Sequence, residues 1–184
     1  MKRIPYGISN FEVLKMKNYL YVDKTSYIEL LDRYAPYHFF IRPRRFGKSL
    51  FISMLDNYYD INKEDKFEEL FGDLYIGKNS TEEKNSFLVW KISFAGIDAG
   101  HGEESLRESF NEKVSLSVEK FIDHYSNLFV GKDVSKEIKS AEVAVQYISI
   151  LANKIDKRVF VLIDEYDNFA NELITGGNQN TYDS

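Results

Sequence analysis

Residues 39–50 read FFIRPRRFGKSL, and the reading of this stretch decides the fold. Its end, Gly47-Lys48-Ser49, is the tail of a phosphate-binding loop. In the usual form that loop runs glycine, four residues, then Gly-Lys-Ser/Thr. Counting back from Gly47, the first glycine falls at position 42, which is Arg42. The tripeptide alone decides little, because Gly-Lys also stands at Gly77-Lys78 and Gly131-Lys132. Context separates the three copies. Only the first lies between a short apolar run, Tyr37–Arg42, suited to a buried strand, and a segment with helical periodicity. Leu50/Phe51, Met54/Leu55 and Tyr58/Tyr59 recur every three to four residues after Lys48, and Asn62 is the predicted stop. Strand, loop and helix in that order form the frame a phosphate loop requires. The other two copies sit beside Asn79 and Asp133 and read as turns.

The frame assigns chemistry to particular residues. Backbone N–H groups of such a loop and of the helix start point at phosphates, and the helix dipole favours the negative charge. Gly47 lets the chain approach closely, Lys48 reaches the β and γ phosphates, and Ser49 holds Mg²⁺ through its hydroxyl. The candidate nucleotide-binding residues are therefore Arg44, Arg45, Phe46, Gly47, Lys48, Ser49 and Leu50. Arg42 removes one flexible point, and Pro43 stiffens the chain just after it. The loop then reaches the phosphates from a fixed, extended segment. Arg44 and Arg45 contact phosphate, contact an acidic neighbour, or are solvated. The competing reading of the whole loop is a basic turn closed by a glycine.

A second block answers the first. RVFVLI, residues 158–163, is an apolar, β-branched run that reads as a buried parallel strand, and DEYDN follows at once. Asp164 stands at the C-terminal edge of that run, where ligands bind in α/β sheets. Its expected role is to hold Mg²⁺, as the acid of a Walker B element does. Glu165 is the candidate general base that polarises the attacking water. Lys48 and Glu165 are thus the catalytic candidates, and Ser49 and Asp164 the metal candidates, with ATP and Mg²⁺ as cofactors. The competing reading of DEYD is a polar strand end or helix cap.

The rest of the chain fits an alternation of helices and strands. In YLYVDKTSYIELLDRY (residues 19–34), Ser26 and Glu29 have capping-box spacing, and a helical stripe runs from Tyr27 to Tyr34 before Ala35-Pro36. Residues 63–85 are charged and read as a helix plus loop. Ser86–Phe94 reads as a strand, a long helix begins near Glu103 and ends at Gly131, and another spans about Ser140 to Ile155. The predicted class is α/β with a mainly parallel sheet, although only three strands are visible. Gly100-x-Gly102 lacks the third glycine of a dinucleotide loop, and the acids Glu103 and Glu104 fit a plain helix start better.

Bulk composition narrows the classes further. The 184 residues are 43% hydrophobic and 29% charged, so the chain is long enough to bury a real core. Aromatics supply much of that core, with 14 Phe and 13 Tyr against one Trp. The net charge of −5 argues against a nucleic-acid coat. The absence of cysteine excludes disulfides, thiol catalysis and thiolate metal sites. The start, MKRIPYGISNF, lacks the apolar run of a signal peptide, and no stretch reaches the ~20 apolar residues of a membrane span. A soluble cytoplasmic protein without membrane contact is the expectation.

YVDKTSYI, RPRRFGKSLFISML and VFVLIDEYDN together resemble the signature blocks of the bacterial AAA-ATPase-like family. The resemblance spans about residues 11–168. In that family the arginine-rich loop without the first glycine is the usual form, so Arg42 matches. The resemblance implies a P-loop NTPase three-layer sandwich, with Gly47, Lys48 and Ser49 at the nucleotide and Asp164 and Glu165 at metal and water. It also implies an additional strand between the two motif strands. Longer relatives carry a nuclease-like domain of the PD-(D/E)XK type, through which nucleic acid would be a partner. Its nearest local look-alike, Glu137-Ile138-Lys139, lies in a charged stretch rather than a strand. A complete fold of this class resembles a five-stranded sheet, and the residues after Asn168 leave no room for its later strand. The expected organisation is an N-terminal segment (1–36) with the YVDKT block, a partial P-loop core (37–170) and a polar tail (171–184). The expected activity is nucleotide binding, with Mg²⁺-dependent ATP hydrolysis in the complete protein. The alternatives are a nucleotide-dependent binding module without turnover and a nonfunctional fragment.

Overall fold

Apolar residues at helical spacing build eight helical segments among the described residues, and two strands stand beside them. A computed structural model describes residues 2–34, 36–41, 43, 45–97, 103–130, 138 and 140–167, the backbone alone at residue 103. The chain divides into two compact units, Met1–Val89 and Trp90–Ser184. No helix among the described residues is long and apolar enough to cross a membrane.

The first unit is helical. It contains α1 (Phe11–Met16), α2 (Ser26–Arg33), α3 (Lys48–Tyr59), a 3₁₀ helix (Ile61–Lys66), α4 (Phe67–Phe71) and α5 (Tyr75–Lys78). Asn10 starts α1 by accepting a 2.9 Å hydrogen bond from the Val13 N–H. The second half of α3 is buried, with Met54, Leu55, Tyr58 and Tyr59 in an aromatic core. There Phe11 stacks on Phe71 at 5.0 Å, and Tyr58 meets Phe71 edge-on at 5.7 Å. Such pairs add about 0.5–1.5 kcal/mol beyond the area they bury. The first turn of α3 is only half-buried. The helix is thus fixed at its C-terminal end and open at its N-terminal end.

The second unit carries the sheet. β1 (Phe87–Ser93) begins in the first unit and continues into the second. There it pairs in parallel with β2 (Arg158–Asp164). The Phe94 N–H donates to the Asp164 carbonyl at 3.1 Å, which aligns the C-terminal ends of both strands. Between them run α6 (Glu103–His124) and α7 (Ala141–Asn153). Ser140 caps α7 by accepting from the Val143 N–H at 3.3 Å, and Ala144, Tyr147, Ile148 and Leu151 are its buried face. Trp90 is buried, and its indole N–H donates to Ser117 Oγ at 2.9 Å. Helices and a parallel strand pair make the class α/β.

Several expectations need correction. The apolar run from Tyr37 to Ile41 forms no strand and is not buried, with Tyr37 91%, Phe39 70% and Ile41 77% exposed. A buried strand needs ladder partners, and no strand-length partner pairs with it among the described residues. It is held instead by Phe40, whose ring stacks on Phe51 of α3 at 4.8 Å. Arg42 lies outside the described residues. β2 is not fully buried either: Leu162 is inside, whereas Val161 and Ile163 are exposed. α7 packs on β2, and Val161 and Ile163, which alternate with the buried Leu162 along that strand, stay exposed. The visible strands therefore number two among the described residues, not three.

The helical starts differ in detail. Ser26 and Glu29 do not form a capping box, because Thr25 is the residue before α2 and no side chain caps that helix. The Thr25 hydroxyl is turned elsewhere, and Glu29 accepts from Arg33 and from the Tyr75 hydroxyl. Gly77-Lys78 is not a turn but the end of α5. Gly131-Lys132, Gly100-x-Gly102 and the Glu137-Ile138-Lys139 look-alike fall wholly or partly outside the described residues.

Candidate phosphate loop and acidic strand end

The loop is built by two left-handed residues. Arg45 has φ 67° and Gly47 has φ 78°, while Phe46 between them stays at negative φ. Alternating φ signs turn successive N–H groups toward one side, as in the backbone nests that bind anions. Glycine adopts this conformation freely, but for arginine it costs about 1–2 kcal/mol. The Phe46 N–H closes the turn onto the Pro43 carbonyl at 3.4 Å. Gly47 then starts α3 without any side-chain cap, and the first turn of α3 carries no acid. By contrast, α1 and α7 each have a side-chain cap and an acidic first turn.

An uncapped, acid-free helix start with a positive end is suited to phosphate. Arg45, Phe46 and Gly47 are exposed, and Lys48, Ser49 and Leu50 are half-buried at the same helix start. The structure therefore brings together six of the seven predicted nucleotide residues. The seventh, Arg44, lies outside the described residues.

The acids lie in the second unit. Asp164 ends β2 and is half-buried, and its Oδ1 accepts from the Glu165 N–H at 2.9 Å. Glu165 has φ 56°, a conformation seldom taken by a non-glycine residue. Strain of this kind costs about 1–3 kcal/mol and concentrates at functional sites. A helical turn begins directly after it at Tyr166. Asp164 and Glu165 are thus brought together on one sharp bend at the C-terminal end of a parallel strand.

The residue types fit a nucleotide with magnesium. Within the first unit the uncapped α3 start and Lys48 suit phosphate and the Ser49 hydroxyl is a hard oxygen donor; within the second, the Asp164 carboxylate is another. No group of three or more His, Cys, Asp or Glu gathers among the described residues. A magnesium ion held by one or two side chains plus nucleotide oxygens requires no such group.

The YVDKT block acquires a physical account. Asp23 accepts from the Thr25 N–H at 2.8 Å and the Thr25 hydroxyl at 2.7 Å. Its second oxygen accepts from the Tyr75 N–H at 2.8 Å, and Thr25 Oγ1 accepts from the Ile76 N–H at 3.1 Å. The pair therefore supplies the missing partners for the first turn of α5. Burial pushes the Asp23 carboxyl up, but these hydrogen bonds and the charge of Lys15 outweigh it and hold the group below the usual carboxylate range. Aspartate two residues before a threonine carries the signal of an Asx turn, and its reach to α5 is visible only in three dimensions.

Comparison with known proteins gives two matches. The family described as "Predicted AAA-ATPase" matches residues 5–184. An uncharacterized protein encoded in the vnfD 5′ region of Azotobacter chroococcum mcd 1 is 35% identical over 96 residues. That stretch is 52% of this chain and 17% of the relative, so the chain matches under a fifth of that protein's length. No solved structure matches.

Proposed function

The chain belongs to the AAA-ATPase-like family, and from that premise we propose that it binds ATP on the loop Arg45–Leu50 and serves Mg²⁺-dependent hydrolysis. The observation that carries the reading is the start of α3, where alternating φ at Arg45–Gly47 leads into a helix with neither side-chain cap nor acid. The loop N–H groups take the phosphate oxygens, and the Lys48 ammonium takes the β and γ charge. Ser49 in the first unit and, separately, Asp164 in the second are the side chains of the kind magnesium takes, and the ion when bound neutralises charge on the β and γ phosphates. Glu165 accepts the proton of the attacking water. The reading carries with it the three-layer P-loop sandwich and a cytoplasmic setting. Nucleic acid becomes a partner where a nuclease-like domain accompanies the ATPase region.

Titration of Mg-ATP against the wild type and Lys48→Ala tests the site. The wild type binds, and the variant loses about tenfold or more, as expected for one charge-assisted contact. Equal affinity in both proteins, or no binding in either, overturns the reading. Phosphate release separates the chemistry. Glu165→Gln keeps binding and loses about 10²–10⁴-fold in turnover, the usual contribution of a general base. Binding by the wild type without any phosphate release assigns the site to a nucleotide-dependent switch instead.

A further inference from the structure

A hollow of about 390 Å³ opens beside the phosphate loop, wholly within the first unit. Gly47 lines both the hollow and the start of α3. Val22 and Lys24 of the YVDKT block also line it, and Tyr21, Tyr27, Phe40, Phe46 and Phe51 form its aromatic lining. Lys24 supplies its one charged side chain among the described residues. Val22 is 68% and Phe46 65% exposed, so two large apolar groups of this lining face water.

We propose that this hollow is the nucleobase subsite of the same nucleotide; the proposal rests on the phosphate-loop reading above. The volume and the apolar, aromatic lining suit a small flat ligand. A base stacks on aromatic faces whatever its hydrogen-bonding edge. Phosphates seated at the α3 start leave the attached nucleoside little choice of neighbour, because Gly47 belongs to both places. The YVDKT block then has two faces. Asp23 and Thr25 turn to α5 and fix the segment through four hydrogen bonds, while Val22 and Lys24, alternating with them, turn to the hollow. A wall held in this way is set before the ligand arrives, which lowers the entropic cost of binding.

Mg-ATP and Mg-tripolyphosphate, which has three phosphates and no base, are titrated calorimetrically against the full chain. The proteins are the wild type, Tyr27→Ala, Val22→Trp and Lys48→Ala. Tyr27→Ala removes a stacking face, and Val22→Trp fills the space from an exposed position. Both variants are expected to lose about tenfold in ATP affinity and less than about twofold in tripolyphosphate affinity. Lys48→Ala weakens both ligands. If the two hollow variants bind ATP like the wild type, or lose both ligands equally, the subsite is overturned while the loop stands. Binding of neither ligand by the wild type overturns the loop and the subsite together. Self-association that Val22→Trp abolishes, with ATP affinity unchanged, gives the hollow to a second copy of the chain and overturns the proposal.

Discussion

Thr25 shows how one hydroxyl serves two elements. It is completely buried, donates to Asp23 and accepts from the Ile76 N–H. Thr25→Val keeps the shape but leaves that N–H buried without an acceptor. The cost is about 1–3 kcal/mol, the penalty of an unsatisfied buried donor. Thr25→Ser keeps the hydroxyl and loses one methyl, worth about 0.8 kcal/mol. Urea unfolding of the two variants is the measurement. Val is expected to be the more damaging, and a Val variant no less stable than Ser would show that the hydrogen bond to the Ile76 N–H contributes no more than the methyl. Arg45 and Glu165 make a different point at this scale. Both hold left-handed backbone at the two candidate motifs, although neither residue type favours it. Sequence spacing pointed to these positions, but no side-chain preference could reveal their conformation, because the surrounding fold imposes it.

Elements were legible in proportion to their length and regularity. The second half of α3 and the inward face of α7 follow apolar spacing closely, and Ser140 announces the start of α7. β1 falls within one residue of its apolar run at each end. α1 has only six residues and gave too little period to be seen. The Tyr37–Ile41 run misled because strand propensity needs a ladder partner, which sequence cannot supply. Gly77 misled for the opposite reason. It reads as a turn residue, yet it sits in α5 where α5 meets α4. A Cβ there would lie 2.0 Å from the Phe71 carbonyl oxygen and 2.6 Å from its carbon. Both atoms are backbone, so no rotamer change can relieve the clash. Gly77→Ala is therefore expected to cost about 1–3 kcal/mol or more, as overpacking does. A thermal melt of this variant beside Gly7→Ala separates the causes: Gly7 has open space around its Cβ, so its substitution meets only the strain of φ 68°. A Gly77→Ala melt at the wild-type temperature would refute the close contact.

At the scale of the molecule, the candidate phosphate loop belongs to a unit stitched together by charged pairs, and this sets its response to pH. Glu12 is held below the usual carboxylate range by hydrogen bonds from Lys63 and Lys66, each at 2.7 Å. Asp73 is lowered by its hydrogen bond from Lys15, and Asp23 by the partners already described. A lowered carboxylate binds fewer protons folded than unfolded. Its stabilisation is complete above the unfolded pKa, about 4, and disappears as pH falls through the folded value. The alkaline side works in reverse. Burial pushes the Tyr21 hydroxyl up to about 12 and raises Tyr59 as well, and the Glu12 carboxylate raises Lys66. These groups stabilise fully below their unfolded values near pH 10 and lose that contribution as pH rises through the folded ones. Stability should therefore be level between about pH 5 and 9 and fall on both sides. Urea midpoints measured across pH give the curve. Glu12→Gln removes the carboxylate that faces Lys63 and Lys66, so it should lower the plateau and make the acid limb shallower. An acid limb of unchanged steepness would show that Glu12 is not among the groups whose protonation unfolds the protein.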